Sequence, residues 1–467
     1  MENIKIGFVP AHREPFGEDW AAQMRKRCLD VISRVPQVEI IAPDEQLTSR
    51  GCVRDDQDAE KTIRLFQEKG IDGLMIGTMT FGDEVSALAI ASAFQDLPVL
   101  LFGTKEGAFT AEGCRRSDSF CGTLSISSGL YRRRIPFVFA GIVFPEEESF
   151  LESTSDFVRV CSAVVRGFTG ARVGLVGPRP ERFETCIFSE DAMMRQFKQR
   201  VVPTSLPDIM KRVDALGDNT PKIQKICQEM KEQADLSALS QETIRNIAGL
   251  EYALKQFAEE KRLSAMAIQC WTAMQEVYGI SSCYAMGRLT DQGIMTACEV
   301  DIYGALTMLV QYLASLATTP PHFVDWTIQH QERENVFLAW HCGNAPPSLA
   351  GKGSGVTIRY HSILGETLGI ERSMGTAEFQ LRPGVVTLCR LGEHDGKFKM
   401  LITTGESIES DQNLRGSWSW VKVTDLNKLY STLVKEGFIH HASLIHGDYT
   451  RAIKDASEFL GIETVIV

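Results

Sequence analysis

Residues 73–104, GLMIGTMTFGDEVSALAIASAFQDLPVLLFGT, decide the fold class of the first third of the chain. The apolar runs GLMIGT and PVLLFGT have the length of buried strands, and residues 83–94 between them have a helical pattern. Outward from this unit, IKIGFVP, VEIIAP and FVFAGIVF are similar runs, and residues 18–34 and 59–69 are further helical patterns. This alternation predicts a doubly wound parallel sheet with helices on both faces.

The loops that follow two of these strands are the best functional candidates in the first domain. They are PAHREPFGED (residues 10–19), which contains Arg13, and GTMTFGDE (residues 77–84). Ligands of open α/β sheets bind beyond the carboxyl ends of the strands. We therefore expect any ligand of this domain to contact these loops.

A second α/β domain is expected to follow, because ARVGLVG (171–177) and SAMAIQC (264–270) again have the pattern of buried strands. A polar helical region lies between them at residues 221–262, and residues 301–317 form a strongly apolar helix. The glycine spacing near residue 174 lacks the third glycine of a dinucleotide-binding fingerprint. A dinucleotide cofactor is therefore not expected.

The sequence pattern changes after Pro320, where strands of alternating apolar and polar residues follow one another without intervening helices. Such a series predicts an antiparallel sheet or a small barrel, here closed by a final helix and strand. The chain is thus expected to hold two α/β domains and a β-rich, barrel-like C-terminal domain. Their predicted ranges are residues 1–167, 168–319 and 320–467.

Composition excludes several classes of protein. The 467 residues are 44% hydrophobic, carry a formal net charge of −11 and contain no long run of one charge sign, which disfavours nucleic acid and anionic membranes as partners. No run of 18 apolar residues predicts a membrane span. The N-terminus begins a strand without a signal-peptide pattern, and the twelve cysteines lack paired spacing. These features predict a reduced, cytoplasmic protein.

Four side chains at the ends of apolar runs form the candidate site. They are Glu299 in CEVD, Asp325 in HFVDW, His341 in AWHCGNAP and His446 in IHGD. Two carboxylates and two imidazoles are ligand types that hold a divalent metal ion. If they converge in space, the protein is a metal-dependent enzyme acting on an oxygen-rich substrate.

Each of these residues also has a purely structural interpretation. Glu299 could stabilise the start of the following helix, and each histidine could be a hydrogen-bonded core residue. Asp325 is harder to explain in this way, because aspartate is disfavoured in strands and a buried carboxylate needs a partner. Cys298 and Cys342 flank the candidates and are interpreted as small packing residues. The long sequence gaps between the four candidates fix no geometry.

At these residues the chain resembles the L-fucose isomerase and L-arabinose isomerase family of metal-dependent aldose–ketose isomerases. The segment GIMTACEVDIYGALTM (293–308) is similar to the family's segment bearing the first metal-binding acid, and HFVDW to the one bearing the second. An aspartate at the second position favours the fucose type. AWHCGNAP resembles the arabinose-type histidine strand, and residues 445–467 resemble the last helix–strand unit.

The resemblance implies a small-molecule sugar substrate and a cation such as Mn²⁺, Mg²⁺ or Co²⁺ bound by Glu299, Asp325, His341 and His446. An alternative register puts Asp448 at the last ligand position. Glu299 and Asp325 would then move a proton between C1 and C2 of an open-chain sugar through a cis-enediol. The resemblance further implies a homo-oligomer such as a hexamer. A substrate contact across a subunit interface is implied for Arg13. Asn344, beside His341, is a candidate to hydrogen-bond either the substrate or a metal-binding residue.

Two other functions stay open at the level of sequence. An epimerase, aldolase or lyase would use the same metal and an enediolate. A sugar-binding or regulatory protein would use a cleft between α/β domains without catalysis, although the clustered acids favour an enzyme.

Overall fold

The computed structural model describes residues 2–216 and 220–467 and divides the chain into two compact units, Met1–Arg166 and Gly167–Val467. The parallel sheets and the β-rich C-terminal part that the sequence predicts are present. The three-domain division stays a prediction, because one compact unit contains both the second parallel sheet and the large C-terminal sheet.

Unit 1 is a five-stranded parallel sheet between helices. Its strands are β1 Ile4–Ala11, β2 Val38–Ile41, β3 Gly73–Thr78, β4 Val99–Thr104 and β5 Val138–Val143. Its helices are α1 Glu18–Ile32, α2 Asp56–Lys69, α3 Glu84–Ala93, α4 Ser119–Arg132 and α5 Glu148–Ala163. The order β2-β1-β3-β4-β5 reverses direction between β1 and β3. Ligands of doubly wound sheets bind at such a reversal, so the loops that follow β1 and β3 lie at the edge where a ligand is expected.

Helix α4 did not appear in the sequence pattern, because SFCGTLSISSGLYR is rich in serine and glycine, which are poor helix formers. Tertiary contacts explain it. The Thr78 hydroxyl lies 2.7 Å from both the Ser119 and Thr123 hydroxyls. A Cβ atom at Gly122 would collide with the Phe81 carbonyl, so glycine permits this close approach of helix and loop.

Unit 2 begins with a four-stranded parallel sheet in the order β7-β6-β8-β9. Its strands are β6 Arg172–Val176, β7 Arg200–Thr204, β8 Ala265–Ile268 and β9 Met295–Ala297. The helices of this part are α6 Glu190–Phe197, α7 Leu206–Asp214, α8 Pro221–Gln233, α9 Gln241–Lys261, α10 Ala273–Tyr278, α11 Cys283–Asp291 and α12 Ile302–Ala314.

The polar helical region predicted at residues 221–262 is two helices, α8 and α9. The chain leaves helical geometry after α8 because Asp235 pairs with the strand segment near Thr357, its amide donating to Val356 O at 2.8 Å. The Ser240 side chain then caps α9 by accepting the Thr243 amide. None of the helices in the described residues has the length and apolarity needed to cross a bilayer.

The C-terminal part of unit 2 is a nine-stranded mixed sheet. Its strands are β10 His322–Gln329, β11 Val336–His341, β12 Thr357–Tyr360, β13 Met374–Gln380, β14 Gly384–His394, β15 Lys397–Ile408, β16 Ser417–Val423, β17 His441–His446 and β18 Glu463–Ile466. The helices among them are α13 Leu364–Leu368, α14 Leu426–Lys435 and α15 Thr450–Phe459.

Six of these strands close on one another. The order β12-β13-β16-β11-β10-β17-β14-β15-β18 contains an additional pairing between β15 and β16, so the antiparallel strands β16, β11, β10, β17, β14 and β15 form a ring. Closure removes the exposed edges that an open antiparallel sheet would present. The expected barrel is therefore present, with β13 and β18 added in parallel at its sides.

Candidate metal centre

Glu299 stands at the carboxyl end of β9, on a sharp turn that connects the parallel sheet to α12. Its φ angle is 58° and that of Val300 is 61°, a left-handed conformation that costs energy for residues other than glycine. The turn is held because the Val300 amide donates to Ile268 O at 3.1 Å and the Asp301 amide donates to Cys298 O at 3.0 Å. A non-glycine residue held in this conformation is a common mark of a functional site.

The other acid and two histidines come from three adjacent strands of the barrel. Asp325 on β10 lies directly opposite His441, the first residue of β17. His341 is the last residue of β11. The residue before it, Trp340, pairs with Asp325 at the edge of β10 opposite to β17. The ring of Phe323 packs against both imidazoles, with centroid distances of 5.2 Å to His341 and 4.8 Å to His441.

Glu299, Asp325 and His341 are thus brought together, with His441 at their centre. The His441 Nε2 atom is 2.9 Å from Glu299 Oε2 and 3.8 Å from Asp325 Oδ1. Ligand atoms of Asp325, His341 and His441 all lie within 4.8 Å of one another. This spacing suits a single cation held by these three residues, and Glu299 forms an adjoining group of the same kind with His440 and His441.

Unpartnered atoms indicate that the cluster fits a cation. Among the described residues, Asp325 Oδ1 and both ring nitrogens of His341 are buried without a hydrogen-bond partner. Buried polar atoms without a partner cost free energy and are uncommon in folded proteins. A divalent ion bound at these atoms would remove that cost, and the donor set of carboxylates and imidazoles suits one.

Burial also controls the charge states of these residues. It lowers the pKa of His341 to about 3, so this ring is neutral near pH 7 and keeps a lone pair for a metal. Burial raises the pKa of Asp325 to about 7. Burial is also the largest single influence on Glu299 and acts upward, but the hydrogen bond with His441 and the nearby imidazoles together outweigh it and hold the pKa of Glu299 below its usual range.

His446, the fourth sequence-predicted ligand, is not brought to this cluster. It lies at the opposite end of β17 from His441, and five residues of extended strand correspond to roughly 16 Å. Its Nε2 atom donates to Arg382 O at 2.8 Å. The alternative ligand, Asp448, is exposed and accepts the Thr450 amide at 3.0 Å. Within the described residues, the histidine of β17 that joins the acids is His441.

Comparison with known proteins gives a consistent result over the whole chain. Residues 7–168 match the family profile "Fucose/sulfoquinovose isomerase, N-terminal domain", and residues 339–467 match "L-fucose isomerase, C-terminal domain". Together the two profiles cover more than half of the chain. The chain belongs to the fucose isomerase family.

Relatives that are similar over most or all of their length share one name. A sulfoquinovose isomerase of Priestia aryabhattai is 24% identical over 472 residues, covering 100% of both chains. One of Alkalicoccus urumqiensis is 25% identical over 99% of both chains. One of Clostridium sp. (strain MSTE9) is 26% identical over 84% of this chain and 86% of its own.

Membership of the fucose isomerase family makes this chain one of a group of metal-dependent sugar isomerases. The second matched range contains His341 and His441. Glu299 and Asp325 lie between the two matched ranges, in a part of the chain that the full-length relatives also align with. The convergence of Glu299, Asp325, His341 and His441 is seen in the structure of this chain and does not rest on its similarity to relatives.

Asn344 lies beside the turn that carries Glu299. Its side chain is buried, and its Nδ2 atom donates to Cys298 Sγ at 3.3 Å. Gly343, just before it, has a φ angle of 133° and passes so close to the Ala377 backbone that a Cβ atom would collide. Asn344 therefore supports the residue next to Glu299, and its predicted contact with substrate stays a prediction.

Arg13 belongs to unit 1, in the loop after β1. Its guanidinium lies 5.1 Å from the centre of the Phe81 ring, and its amide donates to Thr80 Oγ1 at 3.3 Å. The same hydroxyl is 2.8 Å from Nδ1 of the buried His12. Arg13 thus lies at the β1/β3 edge where ligands of such sheets bind. Its role in substrate binding stays a prediction.

Sequence reasoning missed two residues of this site, His441 and Asp301. Asp301 follows Glu299 by two residues and is fully buried against His441, with 2.9 Å between Oδ2 and Nδ1. A signal for His441 was available in the pair His440–His441 at the start of the apolar run HASLI. A signal for Asp301 was the second acid of CEVD.

Proposed function

We propose that this chain is an aldose–ketose isomerase that binds a divalent cation such as Mn²⁺ through Glu299, Asp325, His341 and His441. One observation carries the proposal: two carboxylates and two imidazoles from distant parts of the chain converge, and three of their buried atoms have no hydrogen-bond partner among the described residues. Residues that served only to stabilise the core would be expected to satisfy one another.

The chemistry of isomerisation suits these side chains. A bound divalent cation would polarise the carbonyl and hydroxyl oxygens of an open-chain sugar. Of Glu299 and Asp325, one carboxylate would take the proton from C2 to give a cis-enediol, and the other, in its protonated form, would supply a proton to C1 while the O2 proton passes to O1. His341, neutral because it is buried, would add a ligand without adding negative charge.

The proposed substrate is sulfoquinovose, a hexose with a sulfonate on C6. The support is the name shared by the three relatives, which align with most or all of the chain. The fucose-type substrate that the aspartate at position 325 favours is not supported by the names of these relatives. Assembly into a hexamer and a cytoplasmic location remain predictions from the sequence. Sedimentation of the purified protein would test the former.

The direct test is a substrate panel. Purified protein with Mn²⁺ is incubated with sulfoquinovose, L-fucose and L-arabinose, and products are followed by NMR in D₂O. We expect a 2-ketose of unchanged carbon number, formed fastest from sulfoquinovose. An epimer or a cleaved product would instead identify an epimerase, aldolase or lyase. Sugar binding without turnover, in protein shown to hold metal, would support a binding protein.

Removal of the metal should abolish activity and lower stability together. After dialysis against a chelator, we expect ketose formation to fall to background and to recover when Mn²⁺ is returned. Because a ligand that binds only the folded state stabilises it by mass action, Mn²⁺ at about 100 times its Kd should add about 2.7 kcal/mol to the free energy of unfolding. Calorimetric melting with and without Mn²⁺ measures this. An unchanged Tm at saturating Mn²⁺ would contradict a metal site that exists only in the folded chain.

A further inference from the structure

Asp301 has a densely hydrogen-bonded side chain near the candidate metal centre, although it is not among the proposed ligands. Its side chain is 2% exposed, and its two oxygens receive hydrogen bonds from three different groups. A buried carboxylate with this many donors is held in one position and one charge state.

The two oxygens of Asp301 face different partners. Oδ1 accepts the Gly304 amide at 2.8 Å, which caps α12, and a guanidinium nitrogen of Arg390 at 3.1 Å. Oδ2 accepts the other terminal nitrogen of Arg390 and lies 2.9 Å from His441 Nδ1. Opposite Nδ1, the His441 Nε2 atom faces Glu299 and Asp325. One oxygen thus anchors the helix and the other faces the imidazole.

We infer that Asp301, clamped by Arg390, is a positioning residue that keeps the proton on His441 Nδ1 and so leaves Nε2 available to the cation. The inference rests on the proposed metal site. A carboxylate oxygen can only accept, so a proton on Nδ1 is required for this hydrogen bond. A histidine with Nδ1–H fixed in this way presents its Nε2 lone pair to a metal, and such outer partners are common around metal-binding histidines.

Arg390 holds the Asp301 carboxylate in place. It lies on β14, is 2% exposed, and donates through both terminal nitrogens to the two Asp301 oxygens. Bidentate pairing of a guanidinium and a carboxylate fixes the plane of the acid and favours its ionised form. The position of the Asp301 carboxylate requires a glycine at residue 304, because a Cβ atom there would lie 2.7 Å from Asp301 Oδ2. The carboxylate therefore cannot easily rotate away from His441.

The substitution that tests this is Asp301→Asn. Asparagine keeps the size and can still cap α12, since its oxygen can accept the Gly304 amide. Its NH₂ group would then take the place of Oδ2 and donate to Nδ1, which moves the imidazole proton to Nε2. We expect the Kd for Mn²⁺, measured by calorimetric titration, to rise about 10- to 100-fold. Turnover should fall with it.

A matched control separates positioning from simple loss of a buried ion pair. Arg288 and Glu251 form such a pair elsewhere in unit 2, with 2.7 Å between Nε and Oε2 and both side chains buried. Glu251→Gln should lower the Tm as Asp301→Asn does but leave the Kd for Mn²⁺ unchanged. If both variants weaken Mn²⁺ binding equally, or if neither does, the positioning role is wrong.

A second measurement does not depend on the metal. In metal-free protein with ¹⁵N-labelled histidine, the His441 Nδ1 signal, assigned from its absence in His441→Gln, should be that of a protonated nitrogen. In Asp301→Asn it should become that of an unprotonated nitrogen. The same Nδ1 state in both proteins would overturn the inference. If wild-type protein does not bind Mn²⁺ yet the Nδ1 signal changes as expected, the proposed function fails and the positioning of His441 stands.

Discussion

Glu299→Gln should reduce the rate of ketose formation about 10³-fold or more, because it removes both a metal-binding charge and one of the two groups proposed to move the proton. The fold should survive this change. Glutamine has the size of glutamate, its NH₂ group can donate to His441 Nε2, and the turn around residue 299 is held by backbone bonds that the substitution does not alter. Initial rates by NMR and the Tm by calorimetry measure the two effects.

The control for this experiment is Glu260→Gln, which neutralises an exposed glutamate paired with Arg212 on the surface of unit 2. Surface ion pairs contribute little to stability, so both its rate and its Tm should stay close to those of wild type. A further readout is exchange of the C2 proton with D₂O, which Glu299→Gln should suppress along with turnover. If Glu299→Gln keeps more than a tenth of the wild-type rate with Mn²⁺ bound, Glu299 is not a catalytic residue.

Part of this site was predictable from sequence because burial imposes a cost on charge. Asp325 lies in an apolar run where aspartate is disfavoured and where an unpartnered carboxylate is expensive. Glu299 follows a short apolar strand, and such positions lie at the sheet edge where ligands bind. These local features required no knowledge of the tertiary structure. Both acids do converge in the folded chain.

The last histidine was not predictable in the same way. His446 attracted attention because a glycine follows it, but Gly447 has a φ angle of 117° and its amide donates to Val385 O at 2.8 Å. The glycine is thus explained by the turn that leaves β17. What places His441 in the site is the pairing register of β17 with β10, which sets it opposite Asp325. A register between strands so distant in sequence depends on the whole barrel.

The fold shows the same division between local and long-range information. Strands of the first sheet were predicted because strands buried on both faces are continuous apolar runs. By contrast, β13 (MGTAEFQ) is mixed in composition and β17 (HASLIH) is a short apolar run bounded by histidines, so neither pattern is enough to define a strand. Both are defined by their neighbours: β13 pairs with β12 and β16, and β17 with β10 and β14. Closure of the ring is likewise a tertiary property.

Two substitutions on one strand distinguish the histidine that the structure places in the site from the one that the sequence suggested. His441→Gln should raise the Kd for Mn²⁺ at least about 100-fold, because a lost ligand should cost no less than a lost supporting partner. His446→Gln removes an imidazole that donates to Arg382 O, so we expect a loss of about 1 kcal/mol in stability. Its Kd should stay within about twofold of wild type, since distant sites act independently.

Both variants replace a buried histidine on β17 with the same residue, so each serves as the control for the other. Calorimetric titration with Mn²⁺ and the electron paramagnetic resonance spectrum of the bound ion report on the site directly. Calorimetric melting reports on the fold. The reverse result, with Mn²⁺ binding lost in His446→Gln and retained in His441→Gln, would require β17 to pair in another register. In that case the cation would lie away from Glu299 and Asp325, and these two acids could not carry out the proposed proton transfer beside it.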